Sequence, residues 1–316
     1  MNRPNPPQIV AEAASADPRS VGALSLLAAV VSRLSDYLEL TKPRIVVLEL
    51  IVAGAAAALA SPQGLNVPVV IQALAATALV AGSASIANQW LERRIDLRMR
   101  RTANRPLPAG RVSSVEAIVL CAATLVAGVA WLGLQVNWTT ALLGVASWIT
   151  YVVIYTPLKQ VSPANTAVGA VAGAIPILMG WTATGAPLDL TAWTLAGVLF
   201  LWQFPHFMAI AWLYRGEYAK AGHQMLTVVD PTGARAGAQA IIGALLVIPV
   251  SMIPATLPTS GSPSLYSLWA IALGGVQFAL ALRFAVNRDE SSARWLLRAT
   301  LIYLPAWMAL LLMVSV

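Results

Sequence analysis

Long apolar runs separated by short polar stretches fill most of this chain. An apolar run of about 17 to 25 residues can cross the hydrocarbon core of a bilayer as a helix. Since lipid offers no partner for open backbone groups, such runs must be helical. We therefore predict an all-α polytopic membrane protein with nine transmembrane helices, at roughly residues 45–60, 67–90, 115–134, 139–156, 165–182, 190–213, 236–256, 265–286 and 295–315.

The first 35 residues differ from the rest of the chain. Residues 1–20 are rich in Pro, Ala and Ser, which is typical of a disordered tail, and their acidic residues argue against a mitochondrial transit peptide. The apolar run 21–32 is too short to span a bilayer. Because no small-residue cleavage site follows it, this run predicts an interfacial helix rather than a signal peptide. We divide the chain into a flexible tail with an interfacial helix, 1–35, and a transmembrane domain, 36–316.

The composition excludes an ordinary soluble domain. The chain is 58% hydrophobic and 10% charged, whereas soluble domains carry about 25% charged residues. A soluble fold of 316 residues has no interior large enough to hide this apolar surface, but lipid solvates it. The single cysteine, Cys121, rules out an intrachain disulfide framework and a thiolate metal site, and we interpret it as a small buried residue.

All 20 Lys and Arg residues lie before the first predicted span or in and beside every second connection. They occupy positions within 3–44, 93–111, 159, 215–235 and 283–298, and the alternate connections contain none. Because positive residues stay on the cytoplasmic side, this alternation predicts a cytoplasmic N-terminus and a periplasmic C-terminus in a bacterial inner membrane. The net charge of +7 then suits anionic lipid or an anionic substrate, and it gives no reason to invoke nucleic acid.

The second predicted span ends in three oxygen-bearing residues, Asn88, Glu92 and Asp96, spaced by four. Residues i and i+4 share one face of a helix, so these side chains form a column about 12 Å long. Hard oxygen donors of this kind suit Mg²⁺, which completes its shell with substrate phosphates, and the neighbouring arginines suit phosphate oxygens. The alternative is a solvated helix end with ion pairs, but Asn88 lies deep enough that lipid would penalise it.

Two further polar groups belong to the same predicted membrane side. Glu217 follows the sixth span, and Tyr155 and Lys159 lie four residues apart after the fourth. If a diphosphate is held from two sides, Glu217 can supply the second side. Lys159 is the only cation of its connection, and it is either a diphosphate ligand or a plain positive-inside anchor.

The motifs in this order resemble those of a known family. A cluster N-x-x-x-[DE]-x-x-x-D at 88–96, then "RT..RPL..G" at 101–110 and Y-x-x-x-K at 155–159, is similar to the UbiA-type intramembrane prenyltransferases. Further segments are similar to the branch of that family that farnesylates haem: "ELTKPRI", "MRRTANRPLPAG", "YTPLK", "WQFPHF" and "EYAKAGHQML". The resemblance runs from about residue 35 to the end. Glu92 and Glu217 replace the usual Asp, and Gln224 replaces the usual Pro.

The resemblance implies a UbiA-type bundle around a lipid-accessible cavity, with Mg²⁺ as its cofactor. The implied metal ligands, which together with Lys159 form the implied catalytic set, are Asn88, Glu92, Asp96 and Glu217. The implied diphosphate ligands are Arg101, Arg105, Tyr155 and Lys159.

The resemblance also implies the reaction. Farnesyl diphosphate would ionise, a vinyl group of haem B would attack the allylic cation, and water would quench the new cation to give haem O for a terminal oxidase. An apolar bundle suits this chemistry, because the allylic cation must be kept from bulk water. The implied partners are haem B, farnesyl diphosphate, the lipid bilayer and the haem A synthase or terminal oxidase assembly.

Three titratable residues have less certain roles. His206 lies at membrane depth beside Pro205, where such residues are functional by default; it is either a haem-iron ligand, a base or hydrogen-bond donor near the vinyl group, or a helix-packing residue. His223 is interpreted as a loop residue near the interface. Glu49 falls in the first span and either faces the cavity or extends to the surface beside Arg44.

Two other functions remain open. One is prenylation of a different acceptor, such as a quinone precursor or chlorophyllide, at the same metal site. The other is transport, which predicts broken helices and ion sites near the middle of the membrane. The acidic residues cluster at one membrane face, which argues against transport.

Overall fold

The computed structural model describes residues 18–256 and 262–315, so most of the predicted disordered tail lies outside the described part of the chain. Every regular secondary-structure element in these ranges is helical, as the apolar runs predict. The helices are α1 (Pro18–Leu40), α2 (Pro43–Leu59), α3 (Val67–Asp96), α4 (Ser114–Trp131), α5 (Trp138–Ile149), α6 (Asn165–Ala183), α7 (Leu190–Leu213), α8 (Arg215–Ala221), α9 (Leu226–Val229), α10 (Ala234–Met252), α11 (Pro263–Asn287) and α12 (Glu290–Ser315).

Three of these helices continue into turns of different pitch. A π-helical segment, Leu132–Val136, extends α4, and a 3₁₀ turn, Ile253–Thr256, follows α10. Helix α5 continues as the π-helical segment Thr150–Tyr155 and ends in the single α-turn Thr156–Leu158. Such π-helical turns recur at functional sites, and this one leads directly into Lys159.

Eight helices of the described ranges are long and apolar enough to cross a membrane: α3, α4, α5, α6, α7, α10, α11 and α12, with their extensions. The chain is therefore a multi-pass membrane protein. Helix α2 is apolar as well, but it has only 17 residues and is about 26 Å long by the helical rise. The ninth span thus stays a prediction.

Helix α6 lies at the centre of the bundle. In the most apolar 18-residue stretch of α6, 72% of the residues are buried, whereas 17% are buried in that of α4, which faces outward. It packs against α2, α5 and α7. At the crossing with α2, a Cβ on Gly180 would lie 1.9 Å from the carbonyl oxygen of Ala53. Only glycine permits this backbone contact, which is how membrane helices approach most closely.

One face of helix α1 contacts the start of α4 and the connection before it. Arg33 and Tyr37 contact the carboxylate of Glu116 at the start of α4. On the neighbouring face, Leu34 and Leu38 are 60% and 59% exposed. An apolar face beside a charged one is what an interfacial helix requires, and the interfacial helix stays a prediction. The helix extends beyond residue 35, where we placed the end of the tail.

We expect Gly180→Ala to destabilise the protein, because the added methyl group must separate α2 from α6. Overpacking of this kind costs about 1–3 kcal/mol. The thermal midpoint of the purified protein in detergent measures the loss. The matched control is Gly275→Ala in α11, where an added Cβ meets nothing within 4 Å. Equal midpoints for the two variants would contradict this close crossing.

Candidate active site

The predicted column at the end of α3 is present and buried. Asn88, Glu92 and Asp96 are 1%, 4% and 0% exposed, and the side-chain amide of Asn88 donates to Glu92 Oε2 at 3.0 Å. That hydrogen bond shows that residues four apart share a face here. Because a buried carboxylate is costly unless it is paired, each acid requires a partner.

Each residue of the column contacts one cation, and each cation comes from a different segment. The ammonium of Lys159 lies 2.7 Å from Glu92 Oε1, and Arg105 donates to Asp96 Oδ2 at 2.8 Å. The third cation, Lys42, donates to Asn88 Oδ1 at 2.6 Å. The site therefore combines carboxylates and cations within one buried network, which answers the requirement for pairing.

Lys159 is placed by the distorted end of α5. Its ammonium lies 4.8 Å from the centre of the Tyr155 ring, and its backbone carbonyl accepts a hydrogen bond from the N–H of Gln224 at 2.6 Å. Proline has no N–H to donate, so this hydrogen bond depends on having Gln rather than Pro at 224. Burial works to lower the pKa of Lys159, but the Glu92 carboxylate outweighs it and raises the pKa above its usual range.

The end of α5, directly after its π-helical segment, also contacts the column. The hydroxyl of Thr156 donates to the carbonyl of Tyr151 at 2.8 Å and accepts a hydrogen bond from Asn88 Nδ2 at 3.0 Å. Thr156 thus fixes the orientation of the Asn88 amide, whose oxygen then faces Lys42. Sequence reasoning missed Thr156, since its contact depends on the altered pitch of α5.

Arg101 is held between aromatic rings at the rim. Its guanidinium lies 4.9 Å and 5.1 Å from the ring centres of Tyr214 and Tyr218 and donates to the Tyr218 hydroxyl at 3.0 Å. Stacking of this kind is typical of arginine. It joins the connection after α3 to helix α8, which carries Glu217.

The four predicted metal ligands are not gathered around one point in this structure. Within residues 18–256 and 262–315, no group of three or more His, Cys, Asp and Glu side chains is arranged to hold a metal ion. Glu92 and one oxygen of Asp96 face cations instead. Glu217 lies on a different helix from the column, α8.

The donor set nevertheless fits Mg²⁺. Asp96 Oδ1 and Glu217 Oε2 are buried and have no hydrogen-bond donor among the described residues. Free carboxylate oxygens are the hard ligands that Mg²⁺ prefers, and this ion needs only one or two of them when phosphates and water complete its shell. The two oxygens come from the two sides of the site that the sequence predicts.

Lys42 is a site residue that sequence reasoning missed. It was counted among the cytoplasmic cations, yet it lies within electrostatic range of Glu92, Asp96, Arg105 and Lys159. Its backbone adopts φ 52°, the left-handed region, directly before Pro43. Burial, and then the positive charges of Arg105 and Lys159, lowers the pKa of Lys42 to about 7. The available signal was its position immediately before the proline that begins the first span.

His223 lies in the connection between α8 and α9, as predicted, but it is 2% exposed. Its ring packs edge-on against Tyr218 at 5.9 Å, and its Nδ1 has no hydrogen-bond partner among the described residues. Burial lowers the pKa of His223, while the carboxylates of Glu92 and Asp96 oppose the shift. We name the site formed by the α3 column with Lys42, Arg105 and Lys159 the mouth. His223 belongs to its buried interior rather than to the solvated surface.

His206 lies on α7, deeper in the bundle than the column, and its side chain contacts α12. Its Nδ1 lies 3.0 Å from the hydroxyl of Thr300, which donates its own proton to the carbonyl of Leu297 at 2.7 Å. Nδ1 must then be the donor, which leaves Nε2 with a free lone pair. The ring stacks on Trp202 at 4.8 Å, and the Trp202 indole N–H donates to the carbonyl of Thr300 at 2.7 Å.

Comparison with known proteins gives consistent relatives. Residues 50–312 match the model of the UbiA prenyltransferase family. The chain is 43% identical over 277 residues to a protein of Rhodopirellula baltica named protoheme IX farnesyltransferase, covering 85% of this chain and 96% of the relative. It is 39% identical over 287 residues to a protein of the same name from Solibacter usitatus, covering 88% and 98%.

Solved structures share the fold. A digeranylgeranylglyceryl phosphate synthase aligns with a TM-score of 0.77 at 15% identity, covering 90% of this chain and 99% of that chain. A UbiA homolog from Archaeoglobus fulgidus bound to GPP and Mg²⁺ aligns with a TM-score of 0.64 at 16% identity, covering 87% and 99%.

We expect Lys159→Gln to destabilise the protein by about 3–5 kcal/mol, because it leaves the Glu92 charge buried without a partner. Adding Glu92→Gln should restore most of the stability without restoring any function. Thermal unfolding in detergent measures both variants. The control is Arg294→Gln, which removes a cation from an exposed ion pair with Glu290 worth about 0.5 kcal/mol. A Lys159→Gln loss no larger than the control would refute the pairing argument.

Proposed function

The chain belongs to the UbiA prenyltransferase family, and on this premise we propose that it transfers the farnesyl group of farnesyl diphosphate to a vinyl group of haem B, giving haem O for terminal oxidases. The observation that carries the proposal is the buried column of α3, in which carboxylates and cations meet at one end of an apolar bundle. Relatives matching 85% and 88% of the chain bear the name protoheme IX farnesyltransferase, which supports haem as the acceptor.

When the diphosphate binds at the mouth, the three cations would exchange their present contacts with the column for contacts with the phosphate oxygens. Lys42, Arg105 and Lys159 now neutralise the column, and each has donors that suit phosphate oxygens. Mg²⁺ would be held by Asn88, Glu92, Asp96 and Glu217, and when bound it supplies positive charge between the carboxylates and the diphosphate. The cations are then released towards the phosphate, so the site stays close to neutral in both states.

Ionisation follows from this charge arrangement. As the C1–O bond breaks, negative charge would grow on the leaving diphosphate, and Lys159 and Arg105, which now pair with Glu92 and Asp96, would neutralise it. Fixed charges in a dry site stabilise such a transition state strongly, because they need no reorganisation. The allylic cation forms next to the apolar interior, which protects it from bulk water.

Haem would be bound deeper, at His206. The hydrogen bond to Thr300 holds the imidazole with Nε2 unprotonated, which is the form that binds iron. The same geometry provides the helix-packing contact that the sequence allowed, so both roles can coexist in one side chain. The haem A synthase or terminal oxidase assembly would receive the product.

The transport alternative finds no support in the helices. Pro176, Pro205, Pro249 and Pro305 all lie inside helices that continue through them. Broken helices would be needed to build ion sites near the middle of the membrane. A different prenyl acceptor remains the alternative outcome of the assay below.

We expect Asp96→Asn to abolish turnover while the protein still accumulates in the membrane, because the change keeps the size and removes the charge that meets Arg105 and Mg²⁺. The assay incubates membranes with haem B, farnesyl diphosphate and Mg²⁺ and weighs the haem by mass spectrometry. The control, Glu92→Asp, restores the family's usual residue and should be mild. Full turnover of Asp96→Asn at limiting Mg²⁺ would make the column purely structural.

The topology that accompanies this function has nine spans, including α2, with the acidic column on the cytoplasmic side of a bacterial inner membrane. We expect a reporter fused after Val316 to be periplasmic and one inserted after Ala109 to be cytoplasmic, because the cations alternate from side to side. Compartment-specific reporter activity measures both positions. Two reporters on the same side would refute the nine-span arrangement.

We expect His206→Ala to remove or shift the Soret band of the purified protein, because no other described group would replace its Nε2 at that depth. Binding of farnesyl diphosphate with Mg²⁺ should persist, since the mouth contacts different residues. Absorption spectra and a diphosphate-binding assay check the two halves. An unchanged spectrum with normal turnover would return His206 to a packing role.

A further inference from the structure

Glu49 is a half-buried carboxyl that the mechanism above does not use. It lies on α2 and shares one face with Val46, Ala53 and Ala56, which are 7%, 1% and 0% exposed. Residues on the other side, such as Leu48 at 61%, face lipid. Positions 46, 49, 53 and 56 recur at the helical period of three and four, so the structure places Glu49 inside the bundle. This resolves the choice that the sequence left open.

The surroundings of Glu49 connect it to the mouth. Lys42, the residue directly before α2, interacts electrostatically with Glu49 and donates a hydrogen bond to Asn88. Tyr151 of the π-helical segment lies within the same range. Glu49 itself has no hydrogen-bond or ion-pair partner among the described residues. An interior carboxyl that is half-buried and unpaired is costly, and such groups in membrane helices mark function.

The depth of Glu49 matches the reacting carbon. It lies six residues into α2, about 9 Å below the start of that helix by the helical rise. A diphosphate held at Lys42 and Asn88 would place C1 of the farnesyl chain on the interior side of these residues. The acceptor and any attacking water must then lie at about the level of Glu49.

We propose that Glu49 is the base that accepts the proton of the water consumed in the reaction; this rests on the proposed farnesylation of haem. The C1–O bond breaks and its electron pair leaves with the diphosphate. The vinyl π pair then forms the bond from the terminal vinyl carbon to C1, which leaves a cation on the carbon attached to the porphyrin. A lone pair of water bonds to that carbon, and one proton of the water passes to the Glu49 carboxylate. The proton returns to the aqueous mouth on the side of Lys42.

Because the product retains the water oxygen as a hydroxyl, the loss of this base has a recognisable signature. Without a base to take the water proton, the cation can instead lose a proton from the neighbouring carbon and become an alkene. That product is lighter by one water, about 18 Da, and general bases contribute about 100-fold or more to turnover. The mass of the product therefore reports on Glu49 separately from the amount of folded protein.

The test compares Glu49→Gln, Glu49→Asp and wild type in membranes supplied with haem B, farnesyl diphosphate and Mg²⁺, with the haem products weighed by mass spectrometry. The expected result for Glu49→Gln is about 100-fold slower turnover and a raised ratio of alkene to hydroxylated product. Glu49→Asp keeps the carboxylate and should lie between. Inhibition by inorganic pyrophosphate should be unchanged in all three, which shows that the mouth is intact.

The matched control is Glu290→Gln, the same change at an exposed carboxylate 56% accessible at the start of α12. Wild-type turnover and a wild-type product ratio in Glu49→Gln would overturn the proposal. Because the ratio is measured per product formed, poor accumulation of a variant does not obscure it. If wild type forms no farnesylated haem but prenylates another acceptor, the proposed function fails, and the role of Glu49 fails with it.

Discussion

Burial of two carboxylates at the end of α3 is the constraint on which the rest of the site depends. Glu92 and Asp96 are almost completely buried, and an unpaired charge in such a place costs several kcal/mol. Lys159 and Arg105 come from two different connections, and their ion pairs with the two carboxylates offset that cost. These connections cannot vary freely, because each must deliver its cation to one particular oxygen. This end of the bundle is therefore built around the two acids.

The aromatic residues extend this constraint to the other half of the site. Tyr155 lies beneath Lys159, and Arg101 joins the connection after α3 to Tyr214 and Tyr218. Helix α8, which carries Glu217, is thereby joined to the connection that follows the column. Asp96 and Glu217 each keep one buried carboxylate oxygen without a hydrogen-bond donor among the described residues. Oxygens of this kind are the ligands that Mg²⁺ prefers.

The column was readable from the sequence, because a spacing of four fixes a shared helical face whatever the helix packs against. The presence of arginines beside the column could also be predicted, since they follow the same helix end in the sequence. The contacts of Lys42, Thr156 and His223 were not, because they depend on how separate segments meet. Lys42 points inward from a left-handed backbone before Pro43, and Thr156 follows a π-helical segment. Neither local distortion has a clear pattern in residue types.

The polar groups of the interior differ with their depth in the bundle, because the free-energy cost of a charge rises with distance from water. Fixed charges lie at the mouth, where opposite charges stabilise them. About 10 Å deeper by the helical rise, Glu49 and His206 each come without an ionic partner in direct contact. Charge there is costly in the absence of substrate, so a carboxylate at Glu49 is stabilised only when a positive charge is brought to its level, whereas the neutral imidazole of His206 keeps a lone pair for a ligand. A reaction that creates a cation at that level supplies the missing opposite charge for a carboxylate, and a porphyrin iron supplies the missing partner for an imidazole lone pair.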